Sequence, residues 1–338
     1  MALLACLGAC DRKSPDSTPG TIPSMKASDA APQPERKKLR IAVIPKGTTH
    51  DFWKSVHAGA IKAQRELGNV EVIFRGPEKE DDRGQQIDLV HNLISGRMDA
   101  IVLAPLDDKA LVSPVRDAAA ANIPVVIIDS GLQGDVGKDF VSFVATDNYK
   151  GGQLAGKRLG TVLGGEGKVL LLRYQEGSAS TDERERGFID AIRECPDIQL
   201  IDPKRYAGAT RQTALEASEN LLTAHEDVQG IFCPNESSTY GMLLALRNRG
   251  LAGKIRFVGF DASEGLVKAL ADKEMDGLVV QNPMKMGYLG VKSAVARIEG
   301  KPVEPRQDTG VAMITHENMG NPEYAELINP DLDQYLKG

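Results

Sequence analysis

Short apolar runs rich in β-branched residues alternate along this chain with stretches of helical spacing. That alternation narrows the possible folds more than any other feature. LRIAVIP (39–45), VEVIF (70–74), AIVLAP (100–105) and VVIIDS (125–130) read as strands buried on both faces. Between them, SVHAGAIKAQREL (55–67) places Val56, Ala60, Ala63 and Leu67 at helical spacing, and QQIDLVHNLISG (85–96) and VSPVRDAAAAN (112–122) read as further helices. The pattern then restarts. KVLLLRY (168–174), IQLID (198–202), VQGIFCP (228–234), IRFVGFDAS (255–263) and DGLVVQNP (276–283) are strands, with helices over 183–195, 213–225, 239–250 and 264–274. A helix over 284–300 and an extended region to Thr315 follow. Repeated βα units build parallel sheets through right-handed crossovers, so the restart predicts two α/β lobes, each a doubly wound parallel sheet.

Length and charge bound the function. A chain of 338 residues is enough for two domains of ordinary size. With 41 basic against 47 acidic residues its net charge is −6, which argues against a nucleic-acid partner. No apolar run reaches the roughly 18 residues of a membrane-spanning helix. His50, His57, His91, His225 and His316 are scattered, without HExxH or a Cys/His cluster, so no metal and no cofactor is expected.

The N-terminus reads as an export signal. Leu7-Gly8-Ala9-Cys10 resembles the bacterial lipobox, in which the cysteine carries the lipid, although residues 1–10 lack a basic start and look incomplete. Residues 11–38 hold five prolines and no apolar periodicity, which reads as a disordered tether. A lipid anchor at Cys10 would be the chain's membrane contact. Cys195 and Cys233 remain; export favours a disulfide between them, and two buried free thiols are the equal alternative.

Open parallel sheets bind ligands beyond the carboxyl ends of their strands. Those ends carry His50, Phe52 and Trp53; Asp129 and Ser130; Arg184; Asn235; Asp261; and Gln281. Each has a plain structural reading. An Asp or Asn after a strand is usually a turn or helix cap, and Phe52-Trp53 at a helix start is a hydrophobic staple. Together they make aromatic faces for sugar C–H surfaces and planar forks for vicinal hydroxyls, with no nucleophile–base pair.

From about Leu39 to Ile314 the chain resembles the ribose-binding-protein-like solute receptors of bacterial sugar ABC transporters. The stretches that carry the resemblance are HDFWKSVHAGA, IPVVIIDS, ATDNYKGGQLAG, RERGF, NLLTAHEDVQGIFCPNE, VGFDAS and VVQNPMKMGYLGV. The resemblance implies a type I periplasmic binding protein: lobes of residues 39–146 plus 283–310 and 147–282 plus 311–338, joined near Thr146–Asn148, Gln281–Pro283 and Thr309–Val311. It implies a monomer in the periplasm or cell envelope that holds a monosaccharide or polyol in the interlobe cleft, closes on it and delivers it to ABC permease membrane subunits. It places His50, Phe52, Trp53, Asp129, Ser130, Arg184, Asn235, Asp261 and Gln281 against the ligand. The chain departs from the ribose receptors at His50, where an amide is common, at Ser130, where they have an arginine, and at Ala209, where they have a further aromatic. A different pentose, a hexose or a polyol fits these changes as well as ribose.

Rival functions find less support. An oxidoreductase needs GxGxxG directly after a strand, and none follows IAVIP. GGQLAGKR (151–158) approaches a phosphate loop but has Arg158 where the magnesium-binding hydroxyl belongs, so a sugar-phosphate or nucleotide enzyme is the weakest reading. A transcription regulator on the same core would need a helix-turn-helix that Pro-rich residues 11–38 cannot supply. A receptor feeding a sensor kinase would share this core.

Overall fold

The β-branched runs form strands because their side chains fill both faces of each sheet. Ile41–Ile44, Ala100–Leu103 and Val125–Ile128 are buried throughout. The structure, a computed structural model, describes residues 38–48 and 50–337. The lipobox at Cys10 and, but for Lys38, the tether of 11–38 lie outside the described residues.

The chain begins with β1 (Leu39–Ile44), α1 (Asp51–Leu67), β2 (Val70–Phe74), α2 (Arg83–Ser95), β3 (Ala100–Leu103), α3 (Val112–Ala120), β4 (Val125–Ile128) and β5 (Ser142–Ala145). It continues through α4 (Asn148–Leu163), β6 (Glu166–Leu171), α5 (Ala179–Ile192), β7 (Asp197–Ile201), α6 (Arg211–Ala224), β8 (Gly230–Phe232), α7 (Glu236–Asn248), β9 (Arg256–Phe260), α8 (Glu264–Ala271) and β10 (Gly277–Gln281). It ends with α9 (Pro283–Ile298), β11 (Arg306–Asp308), β12 (Val311–Ile314), α10 (Ala325–Ile328) and α11 (Asp333–Leu336). One sheet has the order β11-β5-β4-β3-β1-β2 and the other β12-β10-β9-β8-β6-β7. The two orders correspond strand for strand, so the architecture is two doubly wound lobes.

The chain passes between lobes after β5, after β10 and between β11 and β12. The last passage explains the one difference in strand direction. β11 runs parallel to β5 and ends at the cleft; the chain then enters the second lobe from the cleft side, so β12 is antiparallel to β10. Two passages touch, with Thr146 Oγ1 3.4 Å from Thr309 Oγ1.

Each lobe packs a helix pair backbone to backbone through glycines. A Cβ on Gly59 of α1 would stand 1.8 Å from the Met284 carbonyl oxygen, and one on Gly287 of α9 would stand 1.9 Å from that of Val56. In the second lobe the pair is α4 and α5: Gly152 against the Arg184 oxygen at 1.9 Å and Gly187 against the Tyr149 oxygen at 2.0 Å. The glycines of the phosphate-loop lookalike are therefore packing residues. Cys195 and Cys233 are free thiols, the second fully buried.

Two parts depart from the sequence expectation. β5 is a four-residue strand with no run long enough to mark it. The resemblance implies the second lobe for all of 311–338, but α11 packs on α1 of the first. Arg65 Nη1 donates to the Gln334 carbonyl oxygen at 2.7 Å, and its guanidinium lies 5.5 Å from the Tyr335 ring centroid. The tail is a fourth crossing.

Candidate functional site

Carboxyl ends of strands from both lobes converge on one cleft, with about 320 Å³ of space between atoms. The first lobe supplies the aromatic wall. His50 stands at the N-cap position of α1 without making a side-chain cap bond, so its ring is free to turn inward. Phe52 and Trp53 follow in the first turn, edge to face at 4.9 Å and 89°. Trp53 is buried, and its indole Nε1 donates to Glu80 Oε1 at 2.6 Å. Phe52 and Trp53 stand at the second and third positions of α1, not at the staple positions before the cap and at the fourth residue, and both rings join the first-lobe core and line the cleft.

Asp129 ends β4 in the left-handed region, φ 62°, its N–H bonded to the Val144 oxygen at 3.1 Å. Asp261 ends β9 the same way, φ 71°, its N–H bonded to the Val279 oxygen at 2.8 Å. Corresponding strands of the two sheets thus present equivalent carboxylates. Their partners differ. Asp129 Oδ2 pairs with Lys46 Nζ at 3.0 Å, both side chains buried. Asp261 accepts from Gln281 Nε2 at 2.7 Å and from the Glu236 N–H at 3.0 Å. Burial pushes the Asp261 carboxyl up to about 6, against the pull of Arg184 and the Gln281 hydrogen bond.

Arg184 on α5 is held by Asn148 Oδ1 at 2.8 Å and the Pro234 oxygen at 3.0 Å, and stacks 4.0 Å from the Phe260 centroid. Asn235 lines the cleft, but it also caps α7: its Oδ1 accepts from the Ser238 N–H. The cap reading is correct for its oxygen, and its amide donates to Ser237 Oγ at 3.2 Å. Ser130 does not line the cleft. Its hydroxyl accepts from the Ser180 N–H at 3.1 Å and joins the lobes instead. Ala209 does not line the cleft either.

Lys46, Glu80, Tyr174, Ser180 and Thr181 also line the cleft, beyond what the sequence indicated, and so does Glu236, which follows Asn235 at the end of the GIFCP strand. Lys46 and Tyr174 closely follow strands β1 and β6, so the strand-end rule applied to every strand would have reached them, whereas Glu80 lies deeper in the loop after β2. Glu80 pairs with His50 Nδ1 at 2.6 Å. Burial alone would push the His50 imidazolium down, but the Glu80 carboxylate outweighs it and raises the pKa to about 9. Burial opposes the Glu80 charge too, yet His50 and Lys46 hold its carboxyl at about 2. His50 is therefore an imidazolium at neutral pH, with both ring nitrogens donors.

Among the described residues, four buried polar atoms of the cleft have no protein partner: His50 Nε2, Arg184 Nη2, Glu236 Oε2 and Gln281 Oε1. Unpaired buried polar groups are costly and native proteins rarely tolerate them, so four in one cleft are open to hydrogen bonds from a polar ligand or from water. Two are cationic donors and two are acceptors, which suits hydroxyl groups, each both donor and acceptor. The described residues contain no cluster of His, Cys, Asp and Glu able to hold a metal.

Known proteins share the fold. A profile described as "Periplasmic binding protein domain" matches residues 41–302. The ribose import binding protein of Bacillus subtilis is 30% identical over 270 residues, 80% of this chain and 85% of that protein. The D-allose-binding periplasmic protein of Escherichia coli is 30% identical over 75% of this chain and 83% of its own length. Among solved structures, an ABC transporter solute binding protein from Agrobacterium vitis with bound D-fucose aligns with a TM-score of 0.83 at 37% identity, covering 86% of this chain and 99% of that one. A carbohydrate transporter solute binding protein from Agrobacterium radiobacter in complex with D-arabinose gives 0.82 at 35% identity, with the same coverage. Two lobes of matching strand order, a polar cleft between them and a family match across most of the folded region agree: the chain belongs to the periplasmic binding protein family.

Proposed function

We propose that this chain is the substrate-binding component of a bacterial sugar ABC importer, working outside the cytoplasm without catalysis. It holds a monosaccharide or polyol in the cleft and delivers it to a membrane permease. A lipid on Cys10 would anchor it, and it would act as a monomer. The moving bodies would be residues 39–146 with 283–310 against 147–282 with 311–332, and α11 rides on the first. The observation that carries this reading is the set of unpartnered donors and acceptors contributed by both lobes beside the Phe52–Trp53 wall. Closing the lobes on a sugar replaces its hydration with charge-assisted bonds from His50, Arg184, Asp129, Asp261 and Glu236, oriented by Asn235 and Gln281.

A thermal-shift screen over pentoses, hexoses, 6-deoxyhexoses and polyols tests this. A ligand at about 1,000 times its Kd adds roughly 4 kcal/mol to stability. One or a few sugars should raise Tm strongly. A flat response to the whole panel would sink the proposal.

A further inference from the structure

Glu80 lies in the loop between β2 and α2 and is 5% exposed. Its carboxylate gathers three aromatic donors. Oε1 accepts from Trp53 Nε1 and lies 2.6 Å from His50 Nδ1; Oε2 accepts from the Tyr174 hydroxyl at 2.7 Å. Trp53 and His50 belong to Glu80's own lobe, and Tyr174 to the other. The Glu80 carbonyl oxygen also accepts from Gln175 Nε2 at 3.2 Å.

These bonds sit in a longer seam. The loop after β6 meets the first lobe again where the Glu176 oxygen accepts from Arg83 Nη2 at 2.9 Å and the Gly177 oxygen from the Asp108 N–H at 3.0 Å. Opening the lobes must break Tyr174–Glu80 while leaving Glu80 its intralobe bonds to Trp53 and His50. The same carboxylate therefore closes the cleft and orients two rings that line it.

We propose that Glu80 is the positioning residue that couples lobe closure to ligand recognition, fixing His50 as a hydrogen-bond donor toward the ligand and the Trp53 ring in its plane. The inference rests on the cleft being the ligand site. With Nδ1–H held by Glu80, the free Nε2 presents a second N–H to the cleft. The ligand must then offer an acceptor there, a hydroxyl or ring oxygen. The charged groups acting on His50 are Glu80, Glu236 and Arg211, and those acting on Glu80 are His50 and Lys46. The two that favour the imidazolium outweigh Arg211 and burial.

Two variants of the full chain test the assignment, Glu80→Gln and Tyr174→Phe. Trp53 is the chain's single tryptophan, so its emission reports on its Glu80 bond without a label. Small-angle scattering of the ligand-free protein reports opening. Tyr174→Phe should shift the ligand-free population toward the open form. It should weaken binding of the best sugar of the thermal-shift panel roughly tenfold, through faster release, with the pH profile unchanged. Glu80→Gln should change the ligand-free Trp53 emission and weaken binding further. It should also move the alkaline loss of affinity from about 9 down toward 6.5, because the charge that holds the imidazolium is gone. A merely structural role would lower Tm in both variants and leave that alkaline limb in place. Unchanged opening in Tyr174→Phe, or an alkaline limb still near 9 in Glu80→Gln, overturns the proposal. If no sugar binds, the importer reading fails, and the scattering and emission arms still decide whether Glu80 latches the lobes.

Discussion

The two lobes share a strand order and a backbone solution, and differ in how they treat charge. Each ends its equivalent strand, β4 or β9, with an aspartate at positive φ whose N–H reaches the neighbouring strand. In the first lobe that carboxylate is neutralised at 3.0 Å by buried Lys46, and Glu80 is matched by His50. In the second, Asp261 has a neutral amide and a backbone N–H, and its pKa is raised to about 6. The first lobe matches these two carboxylates with cations of its own. The second carries charge that a ligand and the opposite lobe must complete. One scaffold copied twice can thus give a pre-organised wall and a responsive one.

The largest expected effect sets the two aspartates against each other. Asn tolerates positive φ, so Asp→Asn changes charge without adding backbone strain. Asp129→Asn leaves Lys46 buried and unpaired and should cost about 3–5 kcal/mol of stability, with binding lost as well. Asp261→Asn removes a desolvated charge; its stability should stay within about 1 kcal/mol of wild type while affinity falls roughly 100-fold. Chemical denaturation and calorimetric titration of both variants check this. Equal losses of stability would end the contrast between the lobes.

A smaller effect tests where the lobes should be alike. Gly59→Ala and Gly152→Ala each drive a methyl into the facing helix backbone, at 1.8 and 1.9 Å. Each should destabilise by about 1–3 kcal/mol or more, and by similar amounts. Denaturant midpoints that differ widely would show that the helix pairs are not equivalent.

The smallest effect, a several-fold change, is in pH dependence. A ligand hydroxyl donating to Asp261 favours its ionised form, so affinity should rise as pH passes about 6. It should fall as pH passes about 9, where His50 loses the proton on its ring. The sign for stability follows the same groups. His50's contribution is complete below its ordinary 6.5 and is lost as pH rises through about 9. That of Glu80 is complete above 4.5 and is lost as pH falls through about 2. Titrations of affinity from pH 5 to 10 should therefore show a plateau between about 6 and 9. A transition near 6.5 would return His50 to ordinary behaviour.

The fold was legible because buried parallel strands announce themselves by composition, and the restart of the pattern separated the lobes. Asp129, Asp261 and Gln281 could be read because they stand at the ends of such strands, and Arg184 because it lies in the first turns of the helix that follows β6. Glu80 could not. It lies in GPEKEDD, where Glu78, Lys79, Asp81 and Asp82 are exposed, and no local property distinguishes the one buried acid among them. Its burial is set by three rings that come from 30 residues before to 94 residues after it. Ser130 shows the opposite error: adjacency to Asp129 in the chain suggested a shared role, but its hydroxyl turns to the Ser180 N–H. The tail helices α10 and α11 are four residues each, too short for any periodicity to register.

That tail makes the motion of the lobes visible at the surface. Met319, Tyr324, Leu327 and Ile328 fasten one end to the second-lobe core, and α11 fastens the other to α1. A strap fixed on both moving bodies either limits their separation or lets go. The grip on α1 is an exposed arginine on two carbonyl oxygens and one ring face, a contact that water reaches from outside. Should that grip let go when the cleft opens, a short C-terminal turn would be freed, and an internal rotation would become an event that a protease or solvent deuterium registers from outside.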